Sequence, residues 1–194
     1  WPAETTFEVM VGAILTQNTS WRNVERALLN LATLGPLTAP AILALPEAEL
    51  ALRLRPVGYF NLKAQRLRAF CTAYLAKGGL AGLSRFATSE LRTLLLAIKG
   101  VGQETADDML LYAFDRPVFV VDAYTRRLLT RLGELDGGEG YETIRKGLEA
   151  ALGLDLDLIN EYHALIVSQG KDVCRPRPRC GVCCLRALCG GHQI

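Results

Sequence analysis

Apolar residues recur along this chain at the spacing of a helix face. Val24, Ala27, Leu28 and Leu31 mark one stripe, Leu91, Leu94, Leu95 and Ile98 a second, and Leu128, Leu129 and Leu132 a third. Residues three and four apart share one side of an α-helix, whereas a half-buried strand alternates at every second position. No such alternation is present. The one strand-like run, Val118 to Val121, is too short and too isolated to seed a sheet. The pattern predicts an all-α protein.

Polar and special residues divide the stripes into elements. Ser20 before WRNVERALLNL, Asn61 before LKAQRLRAFCTAYLA and Ser89 before ELRTLLLAI are predicted N-caps, and Gly78 with Gly79 is a predicted stop. Pro36, Pro40, Pro46 and Pro56 predict short helices and tight turns between longer ones. There is no internal repeat or low-complexity linker. A boundary is expected near Asp115 to Pro117, giving a helical domain over residues 1–116 and a second over 117–194.

Composition narrows the class. At 194 residues the chain can bury a full core, and no apolar run approaches the roughly 18 residues of a membrane span. WPAETTFEV has no basic stretch followed by an apolar one, so no secretory signal is read there. A soluble, cytoplasmic monomer is expected, associated with the nucleoid if the source is prokaryotic. The net charge of +2 permits nucleic-acid binding without demanding it. From Gly170 onward, however, Lys171, Arg175, Arg177, Arg179 and Arg186 stand against Asp172 alone.

Five of the six cysteines fall in the last 21 residues, an arrangement unlike a disulfide framework. Cys174, Cys180, Cys183 and Cys189 are spaced C-x5-C-x2-C-x5-C in a segment broken by Pro176, Pro178 and Gly181, with Cys184 surplus. So short a segment cannot build its own core, and four thiolates suit a metal or iron-sulfur centre. The spacing alone leaves zinc and a cluster equally open.

Two further features carry chemistry. In AIKGVGQETADDMLLYAF, Gly100, Val101 and Gly102 are predicted to turn the chain between two helices. Backbone N–H groups there, with the following helix N-terminus, could approach a phosphate closely. Eighteen residues past Glu104, Asp122 follows an apolar run and precedes AYTRRLL, as an N-cap would. A helix N-terminus also keeps a partly buried carboxylate ionised.

GVGQETADDMLLYAF, VVDAYTRRLL, EVMVGAILTQNTS, RPVGYFNLKAQRL and the YHALIVSQGKDVC approach to the cysteines together resemble the helix-hairpin-helix DNA glycosylases of the endonuclease III family. The resemblance spans the chain, with the gap between Cys174 and Cys180 one residue shorter than is usual in that family. It implies a two-lobe helical fold, a helical barrel plus a cluster domain. It also implies a structural 4Fe-4S cluster on Cys174, Cys180, Cys183 and Cys189, a monovalent cation at the hairpin, double-stranded DNA with damaged bases as partner, and Asp122 as the catalytic carboxylate. Gln17 and the Tyr59, Phe60, Asn61 turn match the family's two intercalating loops, and Gly100, Val101 and Gly102 its phosphate-contacting hairpin.

One departure matters. Bifunctional relatives carry, in the hairpin's second helix, a lysine that forms a Schiff base with the sugar, and this chain has Glu104 there. Together with TQNTSW and RPVGYFNLKA, this brings the chain nearer the 3-methyladenine glycosylase branch, which removes alkylated bases and leaves the abasic site intact. By residue match, Trp1 and Trp21 would stack on the flipped base, Glu104 would lie in the pocket and Lys171 would line its wall. Aromatic faces suit a cationic alkylated purine, at about 0.5–2 kcal/mol per contact. Three rivals stand beside this reading: an endonuclease III-type glycosylase and lyase acting on oxidised pyrimidines, a non-catalytic binder of damaged DNA, and a zinc-tailed helical scaffold unrelated to DNA.

Overall fold

The structure, a computed structural model, describes residues 3–190. Every regular element among them is helical, as the apolar spacing predicts. The chain forms two compact units, the first ending at Asp115 and the second starting at Arg116.

The first unit contains α1 (Thr6–Leu15), α2 (Trp21–Ala32), α3 (Ala39–Ala44), α4 (Glu47–Arg53), a 3-10 turn at Arg55–Val57, α5 (Phe60–Ala76), α6 (Gly79–Leu83), α7 (Thr88–Leu96) and α8 (Gln103–Ala113). Its centre is α1, where Phe7 and the whole of Val9 to Leu15 are buried. A helix apolar on all sides must be surrounded, and α1 packs on α8 and α5. Each core side chain of this size contributes on the order of 1.5–3 kcal/mol. Short elements fill the proline-rich stretch: Pro40 sits in the first turn of α3 and Pro56 in the 3-10 turn.

The helix starts are less uniform than the sequence suggests. Ser20 is the N-cap residue of α2, but its hydroxyl makes no capping bond. The third and fourth long helices begin before the predicted caps. α5 starts from Tyr59, held in the left-handed region at φ 44°, ψ 33°, rather than from Asn61. α7 starts from Ala87, whose N–H is accepted by the Glu90 carboxylate at 3.1 Å, rather than from Ser89. Gly78, at φ 81°, ends α5 as predicted.

The second unit contains α9 (Ala123–Leu132), α10 (Tyr141–Leu152), α11 (Leu156–Asp172) and two 3-10 turns, Cys180–Val182 and Arg186–Leu188. α9 and α11 are its main packed pair. The apolar run Val118 to Val121 is buried but forms no ladder. Side chains take up its backbone donors instead: Phe119 N–H donates to Glu149 Oε1 at 2.9 Å and Val121 N–H to the Tyr141 hydroxyl at 3.4 Å. An extended segment delivers the chain from the unit's interior to Asp122.

Candidate active site and nucleic-acid-facing elements

In the first unit the turn after α7 forms the hairpin. Gly100 has φ 92°, and a Cβ there would collide with the Arg66 side chain at Cγ, so both conformation and space demand glycine. Gly102 is extended at φ −93°, ψ −179°, a conformation open to any residue, and a Cβ there would meet nothing within 4 Å. Between them Val101 is buried, which leaves backbone as the part of that residue a ligand could reach. An ion pair clamps the two hairpin helices: Arg92 Nε and Nη2 donate to the two oxygens of buried Asp107 at 2.7 and 3.0 Å.

The loop after α1 is tied to this hairpin. Gln17 Nε2 donates to Gly100 O at 3.0 Å and to Thr105 Oγ1 at 2.9 Å, while Arg66 donates to Gln17 Oε1. The sequence placed Gln17 in an intercalating loop, and the structure gives its carboxamide an intramolecular role. A second tie joins that loop to the one carrying Tyr59. The buried Lys63 ammonium donates to Leu15 O and Val57 O, each at 2.8 Å, two residues before Gln17 and Tyr59 respectively. Burial, with the charge of Arg66 adding to it, pushes the Lys63 pKa down to about 8. Tyr59 itself is 74% exposed at the loop tip. Asn61 is exposed, and Phe60 is half-buried under the Arg55 guanidinium, 5.9 Å from its ring centroid. Trp21 is half-buried at the first position of α2, and Glu104 is exposed in the first turn of α8. Trp1 lies outside the described residues.

In the second unit Asp122 is the N-cap of α9. Its Oδ1 accepts the Thr125 N–H at 2.7 Å, and its Oδ2 faces His163 Nε2 of α11 at 3.7 Å. Burial works to raise the Asp122 pKa, but the adjacent His163 imidazole and the Thr125 N–H outweigh it and hold the carboxyl below its ordinary value. The result is a largely enclosed carboxylate that stays ionised. Sequence reasoning missed His163. The signal for it is a polar residue on the buried stripe His163, Ile166, Gly170 of α11. Gly170 lets the two helices approach, since a Cβ there would lie 2.7 Å from the Tyr124 ring. Lys171, the next residue, is exposed.

Beyond α11 the four spaced cysteines line one cavity: Cys174, Cys180, Cys183 and Cys189, together with Leu128, Arg131, Leu132, Val173 and Leu185. Cys184 is exposed and is not among the lining residues. Among the described residues no three His, Cys, Asp or Glu side chains are gathered closely enough to hold a single metal ion. Donors reach them from the helices: Arg131 Nη1 to Cys174 Sγ at 3.3 Å and Gln169 Nε2 to Cys183 Sγ at 3.1 Å. Arg127 donates to the carbonyls of Gly170 and Cys174, at 2.9 and 2.8 Å, which fixes the start of the cysteine segment on α9. Arg175, Arg177, Arg179 and Arg186 are all exposed. The sixth thiol, Cys71, is wholly buried in the first unit, and burial pushes its pKa up to about 12, so it is inert.

Comparison with known proteins places these features in context. A family model for the HhH-GPD superfamily of base excision DNA repair proteins matches residues 11–152. A Methanocaldococcus jannaschii protein, provisionally named a DNA repair glycosylase, is 47% identical over 193 residues, 97% of this chain and 87% of its own length. The crystal structure of H. pylori 3-methyladenine DNA glycosylase bound to 1,N6-ethenoadenine superimposes with a TM-score of 0.75 at 32% identity, covering 88% of this chain and 87% of that one. A non-covalent endonuclease III–DNA complex gives a TM-score of 0.86 at 23% identity, over 99% of this chain and 86% of that one, a likeness of fold.

Proposed function

Since the chain belongs to the HhH-GPD superfamily of base excision DNA repair proteins, as a DNA glycosylase of the endonuclease III family, we propose that it is a monofunctional enzyme that hydrolyses the glycosidic bond of alkylated bases in double-stranded DNA. The observation that carries the reading is the enclosed, ionised Asp122 at the head of α9, combined with a carboxylate and no amine at position 104. The likeness to a 3-methyladenine DNA glycosylase at 32% identity supports the substrate class.

The damaged nucleotide must leave the stack before its bond to the sugar can be reached. Exposed Tyr59 is the candidate to occupy the gap, with Phe60 and Asn61 beside it at the start of α5. Gln17, bound to Gly100 and Thr105, would act as a wedge only by exchanging those bonds for contacts with DNA. Backbone groups at Gly100 to Gly102 and the start of α8 are assigned to a phosphate. Trp21 and Glu104 are assigned contacts with the extruded base, and Lys171 a contact with base or backbone.

An alkylated purine carries positive charge, so its bond to C1′ is already weak. As that bond breaks, its electron pair stays with the departing base, which becomes neutral, and positive charge passes to the sugar. Asp122 stabilises that charge through space, orients a water toward C1′ and accepts the proton the water loses. General-base assistance of this kind is worth about 10²–10⁴ in rate. No step requires a covalent enzyme–DNA bond, so the strand remains whole.

Cys174, Cys180, Cys183 and Cys189 line one cavity and are assigned to a 4Fe-4S cluster on the resemblance of their spacing to the endonuclease III family, with a four-thiolate zinc site as the rival occupant. A cluster there would be structural, cross-linking a segment whose exposed arginines are suited to phosphates.

The deciding experiment incubates the protein with methylated DNA and with a thymine-glycol duplex, scoring free base and strand breaks separately. Release of methylated purines without breaks is expected. Breaks on the oxidised substrate with no release of methylated purine would replace this reading with a lyase of the endonuclease III type.

A further inference from the structure

We propose that His163 is a positioning residue for Asp122, holding the plane of the carboxylate so that its Oδ2 edge is aimed when the glycosidic bond breaks. The inference rests on the assignment of Asp122 above. The side chain divides its labour: Oδ1 is committed to the Thr125 N–H, so Oδ2 is left to serve a substrate. One hydrogen bond leaves a carboxylate free to rock about its last torsion, which is broad. A second group beside Oδ2 removes that freedom.

His163 is built for this task. The residue is 4% exposed, on the face of α11 that meets α9. Phe119, from the extended segment leading into Asp122, meets the imidazole edge-on at 84°, with centroids 5.9 Å apart, and this fixes the plane of the ring. Seven residues on, Gly170 sets the close approach of the two helices against Tyr124, and Arg127 locks it through the Gly170 carbonyl. The register that places His163 beside Asp122 is therefore set at both ends of the contact. At 3.7 Å the Nε2 is just beyond direct hydrogen-bonding range, the loose spacing common in catalytic groups before substrate tightens them. From that place the imidazole can orient the carboxylate on its Oδ2 side.

The test is a double-mutant cycle on single-turnover release of methylated purine, with KM measured in parallel. His163→Phe keeps a flat ring without a donor and is expected to lower the rate constant about 10- to 100-fold at unchanged KM. His163→Gln restores an amide N–H at similar reach and is expected to recover to within about threefold of the parent. In an Asp122→Asn background, His163→Phe should cost nothing further, because its effect passes through the carboxylate. A merely structural histidine would give an additive loss in both backgrounds, and that result would overturn the proposal. So would a folded His163→Gln protein as slow as His163→Phe. Should His163→Phe fail to fold, the Gln variant and its double mutant with Asp122→Asn decide alone: a loss that persists in the Asp122→Asn background overturns positioning, and a loss that vanishes there supports it. Full turnover by Asp122→Asn itself would remove the assignment of Asp122, an outcome distinct from either result at His163.

Discussion

The two oxygens of Asp122 can be separated experimentally, because Oδ1 does structural work that an amide can also do. Asn and Asp are comparable N-caps, so Asp122→Asn should change stability by less than about 1 kcal/mol. Base release should fall by about 10²–10⁴ over the same substitution. Thermal unfolding beside single-turnover release checks both halves, and an active Asn variant would make the residue a cap and nothing more. The lowered pKa of Asp122 also fixes the sign of a pH effect. A carboxyl depressed in the folded state contributes stability that is present above its unfolded pKa and is lost as pH falls through the lower, folded value. Base release should follow the same ionisation and persist below the ordinary aspartate pKa of about 3.9. An acid limb that traces to Asp122 and has its midpoint above the ordinary aspartate pKa would contradict a carboxyl held ionised by His163 and Thr125. At this scale the sequence reveals the cap but not its neighbour. An aspartate ahead of an amphipathic run marks a helix start locally, whereas His163 reaches Asp122 only through the packing of α11 on α9, which no local pattern encodes.

At the scale of elements, the hairpin shows what periodicity and turn residues reveal. Its two helices, and the glycines between them, can be read directly from the chain, yet the sequence treats Gly100 and Gly102 as equivalent and the structure does not. Gly100 needs its positive φ and the space beside Arg66. Gly100→Ala should therefore cost on the order of 1–3 kcal/mol. Gly102 has ordinary backbone and open space around it but is the N-cap of α8, so Gly102→Ala should cost only the weaker capping of alanine, no more than about 1 kcal/mol. If the hairpin meets a phosphate, the same methyl group should weaken DNA binding several-fold, which a filter or anisotropy titration at fixed salt would detect. Unchanged affinity in Gly102→Ala would move the phosphate contact elsewhere. The start of α5 shows the opposite limit. Asn61 is the residue that cap statistics favour, but the 3-10 turn and Gly58 at φ 66° bring the chain in so that Tyr59 takes the left-handed position and the helix begins at Phe60. Lys63, one turn into that helix, ties down the carbonyl ends of two separate loops, a function its place in an amphipathic pattern conceals.

For the molecule as a whole, the cysteine segment depends on the helices beneath it. Its spacing announces a four-thiolate site, but the wall of the cavity comes from Leu128, Arg131 and Leu132 of α9, some forty residues earlier, and spacing cannot reveal that. The segment has almost no core of its own, since among its cysteines only Cys174 is buried, so a group held by the four thiols, as proposed, would supply much of its order. Cys183→Ser and Cys184→Ser form a matched pair on adjacent residues, one lining the cavity and accepting from Gln169, the other exposed and outside it. Serine at position 183 should reduce bound iron and the visible absorbance of the purified protein and lower its melting temperature. Serine at position 184 should leave all three unchanged. Equal iron in the two variants would mean that the ligand set is wrong, and zinc in the parent in place of iron would mean that the thiols close on a single ion. The consequence for DNA binding follows from charge placement. With a net charge of only +2, attraction to a polyanion must come from local clusters, and Arg175, Arg177, Arg179 and Arg186 are all carried by the segment that the proposed cluster would order. Loss of iron in Cys183→Ser should therefore weaken DNA affinity and flatten its salt dependence together, while base release by DNA-saturated protein, assigned above to Asp122, should fall much less.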